Sequence, residues 1–277
     1  MNRHLRSLYR LLTSVTKSPR LFAHLINSVP YSCSAYGFSR DYTSNDVPSV
    51  DDSACGSANP LWDYFQNHRA GRGIWKWQHY FEIYHRHFAR FVGQKVDVLE
   101  IGIYSGGSLQ MWRSYFGDKS HIYGVDIEKT CKEYESDHIS VFIGDQGDRA
   151  FWRSFTRSVQ GIDILIDDGG HSPEQQQITL EEMLPRLRLG GVYVCEDVHN
   201  HFNGFAEFAI GLVRELNSCG NMSGFSLQSD VSHFQSSIHS IHFYPYAVVI
   251  EKHRVPPKGL GALKHGTEWK PFSTGDY

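Results

Sequence analysis

The sequence has no long apolar run and little excess charge, and each shortage excludes a class of protein. No stretch of 18 or more consecutive apolar residues occurs, so a membrane-spanning helix is not expected. Lys and Arg number 27 against 30 Asp and Glu, giving a net charge of −3. So small a charge gives no reason to expect nucleic acid or an anionic membrane as a partner.

Cysteine is also scarce, and its spacing excludes two kinds of stabilising site. The five cysteines are odd in number, scattered, and never arranged as CxxC. This usage predicts reduced thiols and argues against a disulfide framework or a zinc site.

Acidic residues are absent from the first forty positions, which are rich in Arg and Ser. Such a composition is found in organelle transit peptides, but a basic amphipathic helix carrying Leu5, Leu8, Leu11 and Leu12 fits as well. We predict a basic extension and linker over residues 1–60, not needed for the fold, and one domain over residues 61–277. The cytoplasm is the expected location, with organelle targeting as the alternative.

Short apolar runs alternate with helical patterns after residue 95. The five runs are Val96–Ile101, Ile122–Ile127, Ile139–Gly144, Ile162–Ile166 and Val192–Cys195. Strands separated by helices predict βαβ units and a parallel sheet. Two further runs around Pro245 predict an antiparallel hairpin. The expected fold is therefore an α/β, Rossmann-like sheet, mostly parallel with a C-terminal antiparallel hairpin and helices on both faces.

An aromatic stripe precedes the first strand and predicts a helix over residues 75–91. Trp77, Tyr80, Phe81, Tyr84 and Phe88 recur at helical spacing. The favoured interpretation is that these rings pack on the sheet, and the alternative is that some of them line a substrate pocket. After the fourth strand, Ser172 and Gln175 predict a capping box at the start of another helix.

The residues that follow the strands predict a nucleoside site, because ligands of open parallel sheets bind beyond the carboxyl ends of the strands. The turn after the first strand contains Gly102 and Gly106 but lacks the GxGxxG pattern of dinucleotide sites. Asp126 follows the second strand, where a carboxylate can accept both ribose hydroxyls. Asp145 and Gln146 follow the third and can pair with an adenine edge. Together these residues predict an S-adenosylmethionine site.

Several longer motifs resemble those of a known family. The runs VLEIGIYSGGSLQMW, IYGVDI, GDQGDRAFW, DILIDDGGHSPEQQ and GGVYVCEDVH resemble class I S-adenosylmethionine-dependent methyltransferases. The resemblance is to the metal-dependent macrolide-sugar O-methyltransferases of the mycinamicin and macrocin type and to cephalosporin hydroxylase-like proteins. It covers residues 75–217 well. The run DDGGH departs from DDGSH in the macrolide members but keeps the acid and the histidine.

The resemblance implies a role for each matching residue. It implies a magnesium or manganese ion held by Asp168, Glu196 and Asp197, with His171 as the general base. The residues implied to bind the cofactor are Glu100, Gly102, Tyr104, Gly106, Ser108, Asp126, Asp145, Gln146 and Asp167. His199 and His201 are expected to be peripheral to the chemistry.

The metal site raises one geometric question. In a regular strand, adjacent Glu196 and Asp197 would point to opposite faces, so both reach one ion only if the strand has already ended. The alternative is that Glu196 caps a helix or orients the loop.

The expected activity is transfer of a methyl group to a hydroxyl of a sugar or another small polyol or natural product. The expected partner is thus a small-molecule hydroxyl acceptor, without nucleic acid, and a homo-oligomer is possible. Four classes stay open from the residues. They are the metal-dependent O-methyltransferase, a methyltransferase of another acceptor or without a metal, a nicotinamide oxidoreductase, and a non-catalytic binding protein.

Overall fold

The computed structural model describes residues 19–42, 59–200, 203–218, 228–261, 263 and 265–266. The chain divides into two compact units, Met1–Ser57 and Ala58–Tyr277. The first contains helix α1, Pro19–Asp41. The predicted amphipathic helix around Leu5–Leu12 lies outside the described residues, and the boundary and role of the 1–60 extension stay predictions. No helix in the described ranges is both long and apolar enough to cross a membrane.

The second unit alternates strands and helices as the apolar pattern predicts. The helices are α2 Pro60–Asn67, α3 Tyr80–Phe88, α4 Gly107–Phe116, α5 Arg149–Ser158, α6 Pro173–Met183, α7 Gly204–Leu216 and α8 His233–Ser237. The strands are β1 Asp97–Ile101, β2 His121–Asp126, β3 Ile139–Ile143, β4 Ile162–Asp167, β5 Leu187–Cys195, β6 Gln228–Ser229, β7 Ile238–Tyr244, β8 Ala247–Lys252 and β9 Leu260–Gly261. Short 3-10 helices cover Ala89–Phe91, Lys129–Tyr134 and Leu184–Arg186.

Seven strands form one sheet in the order β3-β2-β1-β4-β5-β8-β7. The pairs from β3 to β5 are parallel, whereas β8 runs antiparallel to both β5 and β7. The strand order reverses beside β1, where ligands of such sheets bind. The predicted mostly parallel Rossmann-like sheet with a C-terminal antiparallel hairpin is therefore confirmed.

Both faces of the sheet are covered, which explains why the strands read as continuous apolar runs. Alternate residues of β1 point to opposite sides: Val98 packs in the core on the side of α3 and α4, and Leu99 in the core on the side of α5 and α6. Glu100 interrupts this run. Its carboxylate is fully buried and accepts a 2.6 Å hydrogen bond from Ser108 Oγ.

Two local expectations need correction. Helix α3 begins at Tyr80 rather than near residue 75, because the side chains of Lys76 and Trp77 are held by carboxylates of the cavity described below. At the start of α6, Ser172 Oγ accepts from Gln175 N as predicted, but the capping box is not formed. The Gln175 side chain instead lies 3.5 Å from Asp145 Oδ1.

Candidate functional site

A cavity of about 880 Å³ opens at the carboxyl edge of the parallel strands. Its walls come from the loops after β1 to β5 and from residues 73–77, which precede α3. Ten of the predicted site residues line it, namely Gly102, Tyr104, Ser108, Asp126, Asp145, Gln146, Asp168, His171, Glu196 and Asp197. Glu100, Gly106 and Asp167 are not among the lining residues. The sheet thus brings most of the predicted cofactor and metal residues into one space.

The turn after β1 requires its two glycines. Gly102 has φ 79°, and a Cβ there would lie 2.0 Å from the backbone oxygen of Asp168. Gly106 has φ 75°, and a Cβ would lie 2.6 Å from the ring of Tyr134. Any side chain at either position would force the neighbouring loop away. The glycines therefore allow close approach between protein segments as well as access to the cavity.

Asp126 holds the backbone at the end of β2. Its Oδ2 accepts from Tyr104 N at 3.1 Å and its Oδ1 from Glu128 N at 2.9 Å. The carboxylate lines the cavity while fixing the turns on both sides of it. It thus lies where a ribose ligand is predicted, with a rigid position.

Asp145 and Gln146 differ in what they offer a ligand. Asp145 is exposed and lines the cavity, with its Oδ1 accepting from Gly147 N at 2.7 Å. The Gln146 amide is used within the protein: Nε2 donates to Asp167 Oδ1 at 2.9 Å, and Oε1 accepts from Gly170 N at 2.6 Å. Pairing of Gln146 with adenine would require those bonds to break, so Asp145 is the better placed of the two.

Asp167 lies behind the cavity wall, and its carboxylate is 1% exposed. Burial raises its pKa to about 7, although hydrogen bonds from Gln146 and Tyr193 oppose the rise. The side chain anchors the loop that carries Asp168 and His171.

Three side chains form the open cluster in which a cation could be held. Ligating atoms of Asp168, His171 and Asp197 all lie within 4.8 Å of one another. His171 Nε2 is 3.5 Å from Asp197 Oδ2. The Nδ1 atom of His171 is buried and has no hydrogen-bond partner in the described part of the chain. With Nδ1 enclosed, Nε2 is the nitrogen that faces the cavity.

Asp197 is held firmly by aromatic residues at the start of α3. Its Oδ1 accepts from Trp77 Nε1 at 2.8 Å and from Tyr80 Oη at 3.1 Å. The strand β5 ends at Cys195, and Asp197 has φ 54°, outside any regular strand. The strand has therefore ended before Glu196 and Asp197, so the backbone does not force their side chains to opposite faces of the sheet.

The Glu196 side chain is nevertheless bound elsewhere. Its carboxylate is 1% exposed, accepts from Tyr84 Oη at 2.6 Å, and lies 3.2 Å from Lys76 Nζ. Burial raises its pKa well above the ordinary value. Glu196 therefore neighbours the open cluster without belonging to it.

Lys76 is the functional residue that sequence reasoning missed. Its ammonium is buried between Asp168 Oδ2 at 2.7 Å, Glu196 at 3.2 Å and Glu100 Oε1 at 3.2 Å. Burial alone would lower the pKa of Lys76, but these carboxylates raise it well above its usual range, so the ammonium stays charged. The position of Lys76 in the sequence, next to the aromatic stripe, does not predict its contacts with these carboxylates.

Backbone strain is concentrated around this cluster. The non-glycine residues with positive φ in the described ranges are Tyr104, His171, Asp197, Asn200 and Tyr246. Three of them line the cavity, and Tyr246 accepts a hydrogen bond from Val198 N, next to Asp197. Such conformations cost energy and persist where surrounding contacts impose them, as at functional sites.

Among the described residues, the open cluster contains no histidine other than His171. His199 is exposed and contacts the ring of Tyr246, with centroids 5.9 Å apart, while His201 falls outside the described residues. Another group, His87, His242 and Glu251, brings ligand atoms within 4.8 Å of one another. Its carboxylate already accepts from His87 Nδ1 at 2.9 Å and from Arg90 at 2.8 Å. Arg90 supplies the positive charge that a metal would otherwise provide.

The known proteins that this chain resembles are methyltransferases. Residues 99–198 match a family described as methyltransferase domain. The chain is 33% identical over 204 residues to the 8-demethyl-8-(2-methoxy-alpha-L-rhamnosyl)-tetracenomycin-C 3'-O-methyltransferase of Streptomyces olivaceus, covering 66% of this chain and 50% of that protein. It is 32% identical over 198 residues to the mycinamicin VI 2''-O-methyltransferase of Micromonospora griseorubida, covering 64% and 49%. The chain thus spans about half the length of these relatives.

A solved structure extends the likeness to three dimensions. The MycE methyltransferase of the mycinamycin pathway, in complex with Mg, SAH and mycinamycin VI, superposes with a TM-score of 0.57 at 27% identity. The match covers 71% of this chain and 53% of that one. Residues 99–198 therefore match a methyltransferase domain. The chain is similar to a macrolide-sugar O-methyltransferase, as its motifs predicted, and also to a tetracenomycin-sugar O-methyltransferase.

Proposed function

We propose that the chain is an S-adenosylmethionine-dependent, divalent-metal-dependent O-methyltransferase that acts on a hydroxyl of a sugar or another small polyol or natural product. One observation carries the proposal. A single cavity contains both the glycine turn with Asp126 and Asp145, which suit an adenosine with an amino-acid tail, and the Asp168, His171 and Asp197 cluster. Cofactor and acceptor chemistry can therefore meet in one enclosed space.

The cofactor half of the proposal rests on position and charge. Asp126 projects at the end of β2 and Asp145 just beyond β3, so one carboxylate can accept ribose hydroxyls and the other an adenine amino group. The methionine end would lie along Gly102, Tyr104 and Ser108. These assignments are supported by the lining of the cavity and by the resemblance.

Two of the three predicted metal ligands are placed where they could bind a hard cation. Asp168 and Asp197 offer carboxylate oxygens, the donors that magnesium and manganese prefer. Glu196 would join them only after leaving Lys76 and Tyr84. A bound cation would lower the pKa of an acceptor hydroxyl and fix its orientation.

The protein's own part in the reaction is to place the hydroxyl and remove its proton. The acceptor oxygen attacks the methyl carbon, the carbon–sulfur bond breaks, and its electron pair stays on sulfur to give S-adenosylhomocysteine. The acceptor proton passes to Nε2 of His171. Asp197 Oδ2, 3.5 Å from that nitrogen, stabilises the imidazolium that forms.

The acceptor class is supported by the relatives. Two of them are named for O-methylation of a rhamnosyl tetracenomycin or of mycinamicin VI, and the MycE structure contains mycinamycin VI. A glycoside hydroxyl is therefore the acceptor we propose. The absence of nucleic acid partners, the possible homo-oligomer and the cytoplasmic location stay predictions.

Calorimetric titration tests the cofactor half directly. The wild-type protein is titrated with S-adenosylhomocysteine and, separately, with NAD. Saturable binding of the first and none of the second is expected. Preference for NAD would replace the proposal with an oxidoreductase, and binding of neither would refute the cofactor assignment.

A metal-free methyltransferase is the second candidate, and Lys76 is the observation that favours it. The ammonium already neutralises Asp168 and Glu196, as a metal would. Titration of the protein with magnesium alone separates the two candidates. If the wild-type protein binds magnesium and Asp168→Asn and Asp197→Asn abolish that binding, the metal-dependent enzyme is supported. If the wild-type protein does not bind magnesium, the metal-free enzyme is supported.

A further inference from the structure

Two exposed aromatic rings lie near Asp197, one in the cavity wall and the other packed against it. Trp77 lines the cavity and is 50% exposed, and Tyr246, in the β7–β8 turn, is 44% exposed. Their ring centroids are 5.4 Å apart with planes tilted by 54°. Large apolar side chains left in contact with solvent next to a polar cluster are typical of a ligand-binding wall.

The two residues are held in place near Asp197. Trp77 Nε1 donates to Asp197 Oδ1 at 2.8 Å. The backbone oxygen of Tyr246 accepts from Val198 N and from Tyr80 Oη, both at 2.9 Å. The Trp77 ring is therefore fixed relative to the Asp197 carboxylate, and the Tyr246 backbone is fixed relative to the loop that follows Asp197, so neither has to be ordered when an acceptor arrives.

The backbone at Tyr246 adds an independent observation. Tyr246 has φ 61° in the two-residue turn between Tyr244 and Ala247. Gly or Asn adopts that conformation easily, whereas a tyrosine there is strained. A tyrosine in a strained conformation with an exposed side chain indicates that its ring has a functional role, such as contact with a ligand.

We propose that Trp77 and Tyr246 form the acceptor wall, on which a sugar ring of the acceptor packs its C–H face. The hydroxyl edge of that sugar then faces Asp168, His171 and Asp197. This inference rests on the proposed function and adds the residues that select the acceptor. The two rings contact each other and therefore present one continuous apolar surface, on which the C–H face of a pyranose chair can pack.

The wall is tested by binding, with the protein saturated with S-adenosylhomocysteine and magnesium. Methyl α-L-rhamnopyranoside is titrated by saturation-transfer NMR into the wild-type protein, Trp77→Leu and Tyr246→Asn. Asn tolerates the positive φ, so Tyr246→Asn removes the ring without straining the fold, and equal or higher thermal stability checks this. Each variant should weaken rhamnoside binding by about tenfold or more, while affinity for S-adenosylhomocysteine stays unchanged.

Two further variants separate the ring from other effects. Trp77→Phe keeps a ring but loses the hydrogen bond to Asp197, so it should retain more affinity than Trp77→Leu if packing dominates. Phe243→Ala is the matched control, because Phe243 is an exposed ring of β7 whose neighbour Tyr244 contacts His87 on the α3 side of the sheet. Side chains alternate along a strand, so Phe243 lies on the other face.

The outcomes distinguish this inference from the function on which it rests. Unchanged rhamnoside binding in Trp77→Leu and Tyr246→Asn, or no saturable binding to the wild type, overturns the sugar wall. Ring-dependent binding of catechol in place of the rhamnoside overturns the acceptor class. Failure of the wild type to bind S-adenosylhomocysteine instead refutes the proposed function.

Discussion

Lys76 sets the charge of the candidate metal site. Its ammonium contacts Asp168, Glu196 and Glu100, each of which is buried or half-buried. A buried carboxylate cluster of this kind needs a cation, because unpaired like charges repel strongly where water is excluded. Lysine and a divalent ion can both supply that charge, so they compete for the same oxygens.

Replacing Lys76 by methionine should therefore have two effects of opposite direction. Without magnesium, the unpaired carboxylates should lower the free energy of unfolding by about 3–5 kcal/mol. With magnesium, the variant should recover more stability than the wild type gains, since ligand binding stabilises the folded state. Thermal unfolding over a magnesium series measures both.

Lys132→Met serves as the control, because Lys132 forms an exposed ion pair with Glu135. It should change stability by less than about 1 kcal/mol and should not alter the response to magnesium. If magnesium raised the stability of Lys76→Met less than that of the wild type, competition between Lys76 and magnesium for the same carboxylates would be contradicted.

Asp126 is the residue on which the ribose assignment depends. Asp126→Ala removes an acceptor for two hydroxyls, and it also frees Tyr104 N and Glu128 N. The affinity for S-adenosylhomocysteine should fall by about 10- to 100-fold, from two hydrogen bonds of about 1 kcal/mol or more each. Calorimetry against Asp137→Ala, an exposed acid outside the cavity, measures the loss. Equal affinities in the two variants would refute the assignment.

At the scale of elements, the strands could be predicted from sequence and several boundaries could not. A strand covered on both faces is mostly apolar, so the run Val192–Cys195 in β5 can be recognised from sequence alone. The start of α3 was misplaced because the side chains of Lys76 and Trp77 are held by Asp168 and Asp197, residues that are distant in sequence. Helical spacing contains no information about such tertiary contacts.

In the site too, some features could be predicted from the sequence and others depend on tertiary contacts. Residues after successive strands were predicted to meet because parallel strands end at one edge, and most of them line one cavity. The burial of Glu196 against Lys76 and the internal bonds of Gln146 depend on side chains from separate elements. Those partners could be identified only from the folded chain.

The 3-10 helix that follows α3 is joined to strand β8 by an ion pair between Arg90 and Glu251, which should appear in the pH dependence of stability. Burial would raise the pKa of Glu251, but hydrogen bonds from His87 and Arg90 and the charge of Arg90 lower it to about 2 from its ordinary 4.5. The folded state therefore binds fewer protons than the unfolded state between those values. The stabilisation is complete above about pH 4.5 and is lost as the pH falls towards 2.

Glu251→Gln should remove this dependence. The variant should be less stable than the wild type by about 1–2 kcal/mol at neutral pH, after allowance for solvent screening of a partly buried group, and most of the difference should be lost as the pH falls to about 2. Denaturant unfolding from pH 2 to 7 measures it, with Glu82→Gln as an exposed ion-pair control. A constant difference across that range would show that the charge of Glu251 does not contribute.

At the scale of the whole molecule, the cavity and its supports belong to one of the two compact units. Every residue assigned a role above lies within Ala58–Tyr277. The seven-stranded sheet and the helices on its two faces also lie within that unit. We therefore predict that the fold and the site need no residue from the first unit.

A chain beginning at Ala58 should remain folded and bind S-adenosylhomocysteine as tightly as the full chain, because the sheet contains its own core. Thermal unfolding and calorimetry on both chains compare them. Aggregation of the shorter chain would show that residues 1–57 cover part of the second unit or join copies of the chain.

The central claim is that the cofactor cavity and the Asp168, His171 and Asp197 cluster carry out one methyl transfer. Single-turnover transfer of labelled methyl from S-adenosylmethionine to methyl α-L-rhamnopyranoside tests it most directly, in magnesium, in EDTA, and with His171→Ala. We expect transfer in magnesium, loss in EDTA with recovery on adding magnesium, and a slowing of about 100-fold or more in His171→Ala with cofactor affinity intact. Full activity in EDTA or an unimpaired His171→Ala would contradict it.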